Sequence, residues 1–247
     1  IDCKFRTESG SRGRSSPSRS PERGDLFDVS AMEDDDEILM KVLVVGDVAV
    51  GKTSIIQRFA NDVFRDDYKT TIGVEFALKP IEMGDKSVNV QLWDIAGQDR
   101  FIGLLRNFYR NASAAIVVFD VSQPKSLQNA RKWKADIDKK VRLQDDSLIP
   151  CVLFGNKSDL RAEEGSESLV DAEAASELAK ACGFLAYAET SAKSGMNIDR
   201  ACKSLVGKVL KVMEAKSRLS DSKKNNKEKS RNVKLDASSD MKSDSCC

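Results

Sequence analysis

Residues 46–53 read GDVAVGKT, with two glycines separated by four residues and the second followed by Lys52 and Thr53. Glycines let the backbone curl, so that successive amide N–H groups point at one phosphate chain beside the positive end of a helix. The lysine of such a loop reaches the terminal phosphates, and the threonine hydroxyl binds Mg²⁺. The motif therefore predicts a phosphate site formed by Gly46, Val48, Ala49, Val50, Gly51, Lys52, Thr53 and Ser54.

A second polar segment, GNKSD at 155–159, follows an apolar run. Asp159 could accept hydrogen bonds from both N–H donors on the edge of guanine. Adenine lacks this donor pair and would leave a buried carboxylate unpaired, which is a source of discrimination. Asn156 and Lys157 would orient this loop and cover the base. The segment TSAK at 190–193 would add backbone contacts from Ser191, Ala192 and Lys193. The ligands predicted are GTP or GDP with Mg²⁺.

Two further segments, DDYKTTIGVEF and WDIAGQDRF, carry residues suited to hydrolysis. Asp94 could hold Mg²⁺ through a water, and the Gly97 amide could contact the γ-phosphate. Gln98 could orient the attacking water. The hydroxyl and carbonyl of Thr71 could close on the ion and the γ-phosphate. Because both segments lose their anchor on hydrolysis, we predict an order–disorder switch.

The elements that must position these motifs alternate between apolar runs and helical periodicity. Strands are predicted at 38–47, at 114–121, at 149–156, at 184–189, and twice within 73–95, where a turn falls at Gly84-Asp85. Helices are predicted at 51–62, 124–137, 171–183 and 198–213. Strands separated by crossover helices pair mostly in parallel and carry helices on both faces. The predicted fold is a doubly wound α/β domain with a mostly parallel six-stranded sheet.

Composition restricts the remaining possibilities. Forty Lys and Arg among 247 residues nearly balance 39 Asp and Glu, so no global field draws the chain onto nucleic acid or membrane. The scattered cysteines favour a reducing compartment, and no secretory signal or membrane-spanning run is expected. We predict a disordered Arg/Ser-rich extension at 1–36, a nucleotide-binding domain at 37–218 and a flexible polar tail at 219–247.

Together the segments GKTS, TIGVEF, WDIAGQ, NKSD and ETSAK resemble the Ras-like small GTPases over residues 38 to about 215, and TIGVEF with WD before AGQ resembles the Rab family. Ile95 and FALK are similar to the Rab subgroup serving lysosome-related organelles and mitochondria. The resemblance implies a membrane-anchored GTPase that cycles between GTP and GDP and recruits effectors in vesicle trafficking. It implies an exchange factor, a GTPase-activating protein, a GDP-dissociation inhibitor and effectors as partners, without a specific nucleic acid. The expected location is the cytosolic face of an intracellular membrane, in exchange with the cytosol.

The resemblance also assigns residues that chemistry alone does not. Phe64 and Tyr68 are expected at the nucleotide. Effectors are expected on Ile72 and on an aromatic trio, Phe76, Trp93 and Phe108, for which core packing is the alternative. Cys246 and Cys247 match a pair that receives geranylgeranyl chains, and two chains give stable anchoring. Idle exposed thiols are the alternative for this pair.

Some residues depart from the family pattern. Val48 and Ala49 stand where glycine is favoured, Asp99 replaces the usual glutamate, and most Rabs lack the N-terminal extension. A branched side chain at Val48 could slow hydrolysis, but Rabs tolerate other residues at this position, and a silent change is the preferred interpretation. Ala49 is costly if its φ is positive. The alternative reading is a GTP-bound scaffold that barely turns over. A phosphate-loop kinase and an RNA-binding role of the Arg-Ser run rank lower.

Overall fold

The computed structural model describes residues 38–67, 69–97, 106–143, 145–162 and 169–215. The strands are β1 (Ile38–Gly46), β2 (Val74–Met83), β3 (Lys86–Ile95), β4 (Ala114–Asp120), β5 (Cys151–Asn156) and β6 (Ala186–Glu189). The helices are α1 (Lys52–Asn61), α2 (Arg106–Tyr109), α3 (Pro124–Lys140), α4 (Ala172–Ala181) and α5 (198–215), with a 3₁₀ helix at Ser158–Ala162. Every predicted strand and helix is present.

The strands form one sheet in the order β2-β3-β1-β4-β5-β6. β2 runs antiparallel to β3, and every other neighbouring pair is parallel. The prediction of a mostly parallel six-stranded sheet is confirmed. β3 and β2 lie on one side of β1, and β4, β5 and β6 follow one another on the other side, so the direction of winding changes at β1. Ligands of open α/β sheets bind beyond the carboxyl ends of the strands at such a point. β1 ends at Gly46, which is the first residue of the GDVAVGKT motif.

Alternating side chains of the central strands fill two separate cores, one on each face of the sheet. In β1, Met40, Val42 and Val44 belong to the first core, whereas Leu43 and Val45 belong to the second. The first core is covered by apolar residues of α1 and α5 and the second by apolar residues of α3 and α4. The predicted placement of helices on both faces is therefore confirmed. In the part of the chain that the structure describes, no helix has the length and apolarity needed to cross a bilayer.

The helix ends follow local chemistry that the sequence makes visible. Pro124 is the first residue of α3, where its missing N–H costs no helical hydrogen bond. The Asp171 carboxylate accepts a hydrogen bond of 3.2 Å from the Ala174 amide and caps α4. These ends, together with the short connections that follow β1 and β5, fix where the polar loops emerge from the sheet.

Candidate functional site

The loop between β1 and α1 needs glycine at both of its motif positions. Gly46 has a φ of 145°, and a Cβ there would lie 2.2 Å from the Val118 carbonyl oxygen. Gly51 has a φ of 93°, and a Cβ would lie 2.3 Å from the Asn156 side-chain nitrogen. Both close approaches rule out a larger residue. The loop is thus pressed against β4 on one side and against the end of β5 on the other.

Lys52 lies inside this loop, with only 6% of its surface exposed. Its Nζ donates to the carbonyl oxygens of Gly46 at 3.1 Å and Asp47 at 2.8 Å. Burial lowers the pKa of Lys52 to about 8, while the charges of Asp94 and Asp47 act in the opposite direction. An ammonium held in this way by loop carbonyls is suited to donate to the oxygens of a bound polyphosphate.

Val48 and Ala49 lie in the middle of the loop. Ala49 has a φ of 63°, in the left-handed region that alanine adopts at a cost on the order of 1 kcal/mol. The positive φ that would make alanine costly here is therefore present. Val48 is 42% exposed and borders the cleft, so its branched side chain is available to a neighbouring group.

Thr53, Thr71 and Asp94 come together at one corner of the site from three separate segments. Thr53 Oγ1 donates to Asp94 Oδ2 at 2.5 Å and lies 2.8 Å from Thr71 Oγ1, and Thr71 donates to the same carboxylate oxygen at 3.4 Å. Burial raises the pKa of Asp94, and the hydrogen bond from Thr53 opposes that shift. Asp94 Oδ1 is buried and has no hydrogen-bond partner among the described residues. A carboxylate with a free oxygen beside two hydroxyls fits Mg²⁺, which prefers oxygen ligands.

The segment that follows β3 passes directly against the phosphate loop at Gly97. A Cβ on Gly97 would lie 2.5 Å from the Gly46 carbonyl oxygen and 2.6 Å from the Asp47 carbonyl carbon. This contact sets the position from which the chain continues toward residue 98. Gln98 and Tyr68 lie outside the described residues, as do Asp99, Cys246 and Cys247.

The predicted base-binding loops meet at Asn156, which is 1% exposed. Its Nδ2 donates to the Val50 carbonyl oxygen at 2.9 Å, and its Oδ1 accepts from the Ala192 amide at 3.2 Å. Asn156 thereby ties the phosphate loop to the loop after β6. These two hydrogen bonds are compatible with the role predicted for it, orienting a loop.

The side chains of Lys157 and Asp159, which follow Asn156 in the chain, are each held by a charged or hydroxyl partner. Ser191 Oγ donates to Asp159 Oδ1 at 2.6 Å, and Lys157 Nζ lies 2.6 Å from Asp120 Oδ2. The serine hydroxyl fixes the rotation of the carboxylate that would select guanine, and the buried Asp120 fixes the lysine that would cover the base. The hydrogen bond and the ion pair hold the Asp159 carboxylate and the Lys157 ammonium in one orientation.

A cleft of about 670 Å³ runs from the phosphate loop to these base-binding loops. The predicted residues that line it are Val48, Ala49, Gly51, Lys52, Thr53, Ser54, Phe64, Thr71, Gly97, Asn156, Lys157, Asp159, Ala192 and Lys193. Gly46, Val50 and Ser191 lie behind the lining and supply the backbone and hydroxyl contacts described above. A smaller groove of about 320 Å³ between β6 and α5 contains none of the predicted residues.

Two functional contacts were not predicted from the sequence. Arg58 of α1 donates to the carbonyl oxygens of Ala192 and Lys193, each at 2.9 Å, and so fastens the loop after β6. Asp47, a variable position of the phosphate motif, is bound by side chains of α3. Neither contact has a local sequence signal, because each joins segments more than 80 residues apart.

The aromatic trio forms one cluster at the surface, in which Trp93 is partly buried and also packs against the second core. The rings of Phe76 and Trp93 stack with centroids 5.7 Å apart, and Phe108 lies 6.2 Å from Trp93. Phe76 is 61% exposed and Ile72 is 87% exposed, so burial in a core does not account for them. Lys41 Nζ lies 3.7 Å from the Trp93 ring centroid and orients that ring from β1.

The chain is similar to known proteins over most of the part that the structure describes. Residues 41–211 match the family model described as the Ras family. The chain is 44% identical to the Ras-related protein Rab-7L1 of Homo sapiens over 174 residues, covering 70% of this chain and 83% of that relative. It is 47% identical to the Ras-related protein Rab-32A of Dictyostelium discoideum over 180 residues, 71% of this chain and 80% of the relative. Rab-32 of Homo sapiens is 46% identical over 176 residues, 70% and 76% of the two chains.

Proposed function

The chain belongs to the Rab family of Ras-like small GTPases, and we propose that it is a membrane-anchored switch that recruits effectors while GTP is bound and releases them after slow hydrolysis. Family membership makes it a GTP hydrolase that acts in membrane trafficking.

The observation that carries the proposal is the position of Thr71. Its hydroxyl lies 2.8 Å from Thr53 Oγ1 and within hydrogen-bond reach of Asp94, although it belongs to an exposed segment before β2. These three residues would hold Mg²⁺, which when bound neutralises charge on the β- and γ-phosphate oxygens. Thr71 would then lose its anchor when the γ-phosphate leaves, and the segment that carries it would be released.

The effector surface begins at the next residue. Ile72 follows Thr71 and is 87% exposed, and the exposed ring of Phe76 lies on the strand that this segment enters. A partner that binds Ile72 together with the cluster of Phe76, Trp93 and Phe108 would therefore be sensitive to the position of Thr71. This coupling supports a switch whose bound nucleotide controls effector affinity.

Hydrolysis is proposed to depend on Gln98. Gln98 follows Gly97, which contacts the phosphate loop, and we expect it beside the γ-phosphate. From there Gln98 would orient the attacking water, and a GTPase-activating partner would supply an arginine. An exchange factor and a GDP-dissociation inhibitor complete the set of proposed regulators.

Membrane attachment is proposed to use Cys246 and Cys247 as geranylgeranyl acceptors. Two lipid chains bind a membrane stably, and the lysines of the preceding tail add attraction to anionic lipids. The protein would then lie on the cytosolic face of an intracellular membrane and exchange with the cytosol. A role at lysosome-related organelles or mitochondria is the narrower proposal that Ile95 and FALK support.

A second candidate function is a scaffold that stays loaded with GTP and hydrolyses it poorly. Its support is the exposed Val48 side chain at the cleft and the strained Ala49 beside it. A branched side chain in this place would crowd Gln98 and an incoming arginine.

Single-turnover hydrolysis of bound GTP by the full chain distinguishes the two functions. For a switch, we expect a rate on the order of 10⁻⁴ s⁻¹ that is lost in Gln98→Leu. The control Gln128→Leu makes the same change on the exposed face of α3 and should leave the rate unchanged. Undetectable turnover in the wild type that Val48→Gly restores would favour the scaffold.

A further inference from the structure

The Asp47 carboxylate is held by two donors from one helix. Asn129 Nδ2 donates to Asp47 Oδ2 at 2.7 Å, and Trp133 Nε1 donates to Asp47 Oδ1 at 2.8 Å. The two donors are four residues apart on α3 and therefore lie on the same side of the helix. Each carboxylate oxygen has its own donor, so the side chain of this phosphate-loop residue is fixed in both position and rotation.

The donors themselves are rigid. Trp133 is 6% exposed and packs in the core between the sheet and α3, together with Ala130 and Ile137. Asn129 is half-buried one turn before it. Because the core fixes the indole ring, its N–H is a fixed point against which the phosphate loop is held.

The backbone of Asp47 contacts two residues of the predicted phosphate site, Lys52 and Gly97. Its carbonyl oxygen accepts the 2.8 Å hydrogen bond from Lys52, and its carbonyl carbon faces Gly97, where an added Cβ would approach to 2.6 Å. A rotation of Asp47 would therefore displace the lysine that binds phosphate and the glycine that would sense the γ-phosphate. The position of this one peptide couples α3 to both groups.

We propose that Asn129 and Trp133 are positioning residues for nucleotide binding, which set the rate of nucleotide release by holding Asp47. The inference rests on the proposed function, since it concerns the same site. A carboxylate released from these donors competes with phosphate for the amide groups of the loop, because such a concave row of amides binds any anion. The pair on α3 keeps the charge outside the loop and keeps the Asp47 carbonyl on Lys52.

Removal of one N–H donor tests this mechanism without removing the ring. Trp133→Phe keeps an aromatic side chain in the core and deletes the indole N–H. Hydrogen bonds to a charged group are strong enough that we expect GDP to dissociate at least about 5-fold faster from this variant. Asn129 is half-buried, so the fold tolerates its truncation better than that of the buried Trp133. Asn129→Ala should accelerate GDP release to a similar extent.

The decisive comparison repeats both substitutions in an Asp47→Ala background, using release of a fluorescent GDP analogue from the full chain with Mg²⁺ present. If the donors act through Asp47, Trp133→Phe changes the rate less than about 2-fold once the carboxylate is gone. The same acceleration in both backgrounds, or none with Asp47 present, would overturn the inference while leaving the proposed function intact. A wild-type chain that retains no guanine nucleotide would overturn the proposed function and this inference with it.

Discussion

Asn156 donates from its side-chain amide to the Val50 carbonyl oxygen at 2.9 Å and joins two loops that are 106 residues apart in the chain. The same side chain accepts from the Ala192 amide. One buried amide therefore sets the distance between the phosphate end and the base end of the cleft. A nucleotide that spans the cleft needs this distance to be correct before it binds.

Replacing Asn156 with aspartate should disrupt both ends of the site together. Asn156→Asp keeps the size of the side chain but turns the donor that faces Val50 into an acceptor and buries a charge. We expect affinity for GDP to fall at least about 100-fold, because two buried acceptors, the new carboxylate oxygen and the Val50 carbonyl oxygen, then face each other without a hydrogen bond. Isothermal titration with GDP measures the loss. Asn61→Asp, on the exposed end of α1, is the control and should bind normally; normal binding by Asn156→Asp would contradict the assigned role.

Arg58 should control how long the nucleotide stays bound. Arg58→Ala removes the two hydrogen bonds to the carbonyls of Ala192 and Lys193, so the loop after β6 loses its fastening to α1. We expect GDP to dissociate about 10-fold faster. Arg58→Lys should recover only part of the effect, since an ammonium cannot reproduce a forked pair of contacts. Stopped-flow release of labelled GDP gives the rates, and full recovery by lysine would show that charge alone matters.

Ala49→Gly should stabilise the protein. Ala49 has a φ of 63°, and relief of that strain outweighs the greater chain entropy of glycine in the unfolded state. The expected gain in the free energy of unfolding is about 0.5–1 kcal/mol, seen as a higher Tm with saturating GDP. Ala135→Gly, exposed within α3, should instead lose about 1 kcal/mol. Equal destabilisation by both substitutions would mean that the backbone at residue 49 is not strained.

The buried cysteines should resist thiol reagents in the folded protein. Burial raises the pKa of Cys151 and of Cys202 to about 12, so about 10⁻⁵ of each thiol is ionised at neutral pH, and neither sulfur is accessible. Mass spectrometry after iodoacetamide treatment should find both unmodified in the native protein and modified after unfolding in urea. Rapid modification without urea would contradict the buried environment of these side chains.

How far the sequence predicted the molecule depends on whether a feature is local. The phosphate loop was predictable because its glycines, Lys52 and Thr53 lie within eight residues, and the sheet was predictable because apolar periodicity marks each strand. The contacts of Arg58 and Asp47 were not, because they join side chains to partners that only the tertiary fold brings near. The strain at Ala49 could be suspected from the missing glycine, but the positive φ itself is visible only in the folded chain. The role of Gln98 stays a prediction.

Nucleotide selectivity tests the central claim most directly, which is that one guanine nucleotide spans the cleft from Lys52 to Asp159. The measurement is competition of GDP, ADP and xanthosine diphosphate for the wild-type chain and for Asp159→Asn. The wild type should bind GDP at least about 10³-fold more tightly than ADP. Asp159→Asn should lose affinity for GDP and gain affinity for xanthosine diphosphate, because the xanthine base offers an acceptor where guanine offers a donor. Equal competition by ADP, or unchanged selectivity in Asp159→Asn, would contradict the account.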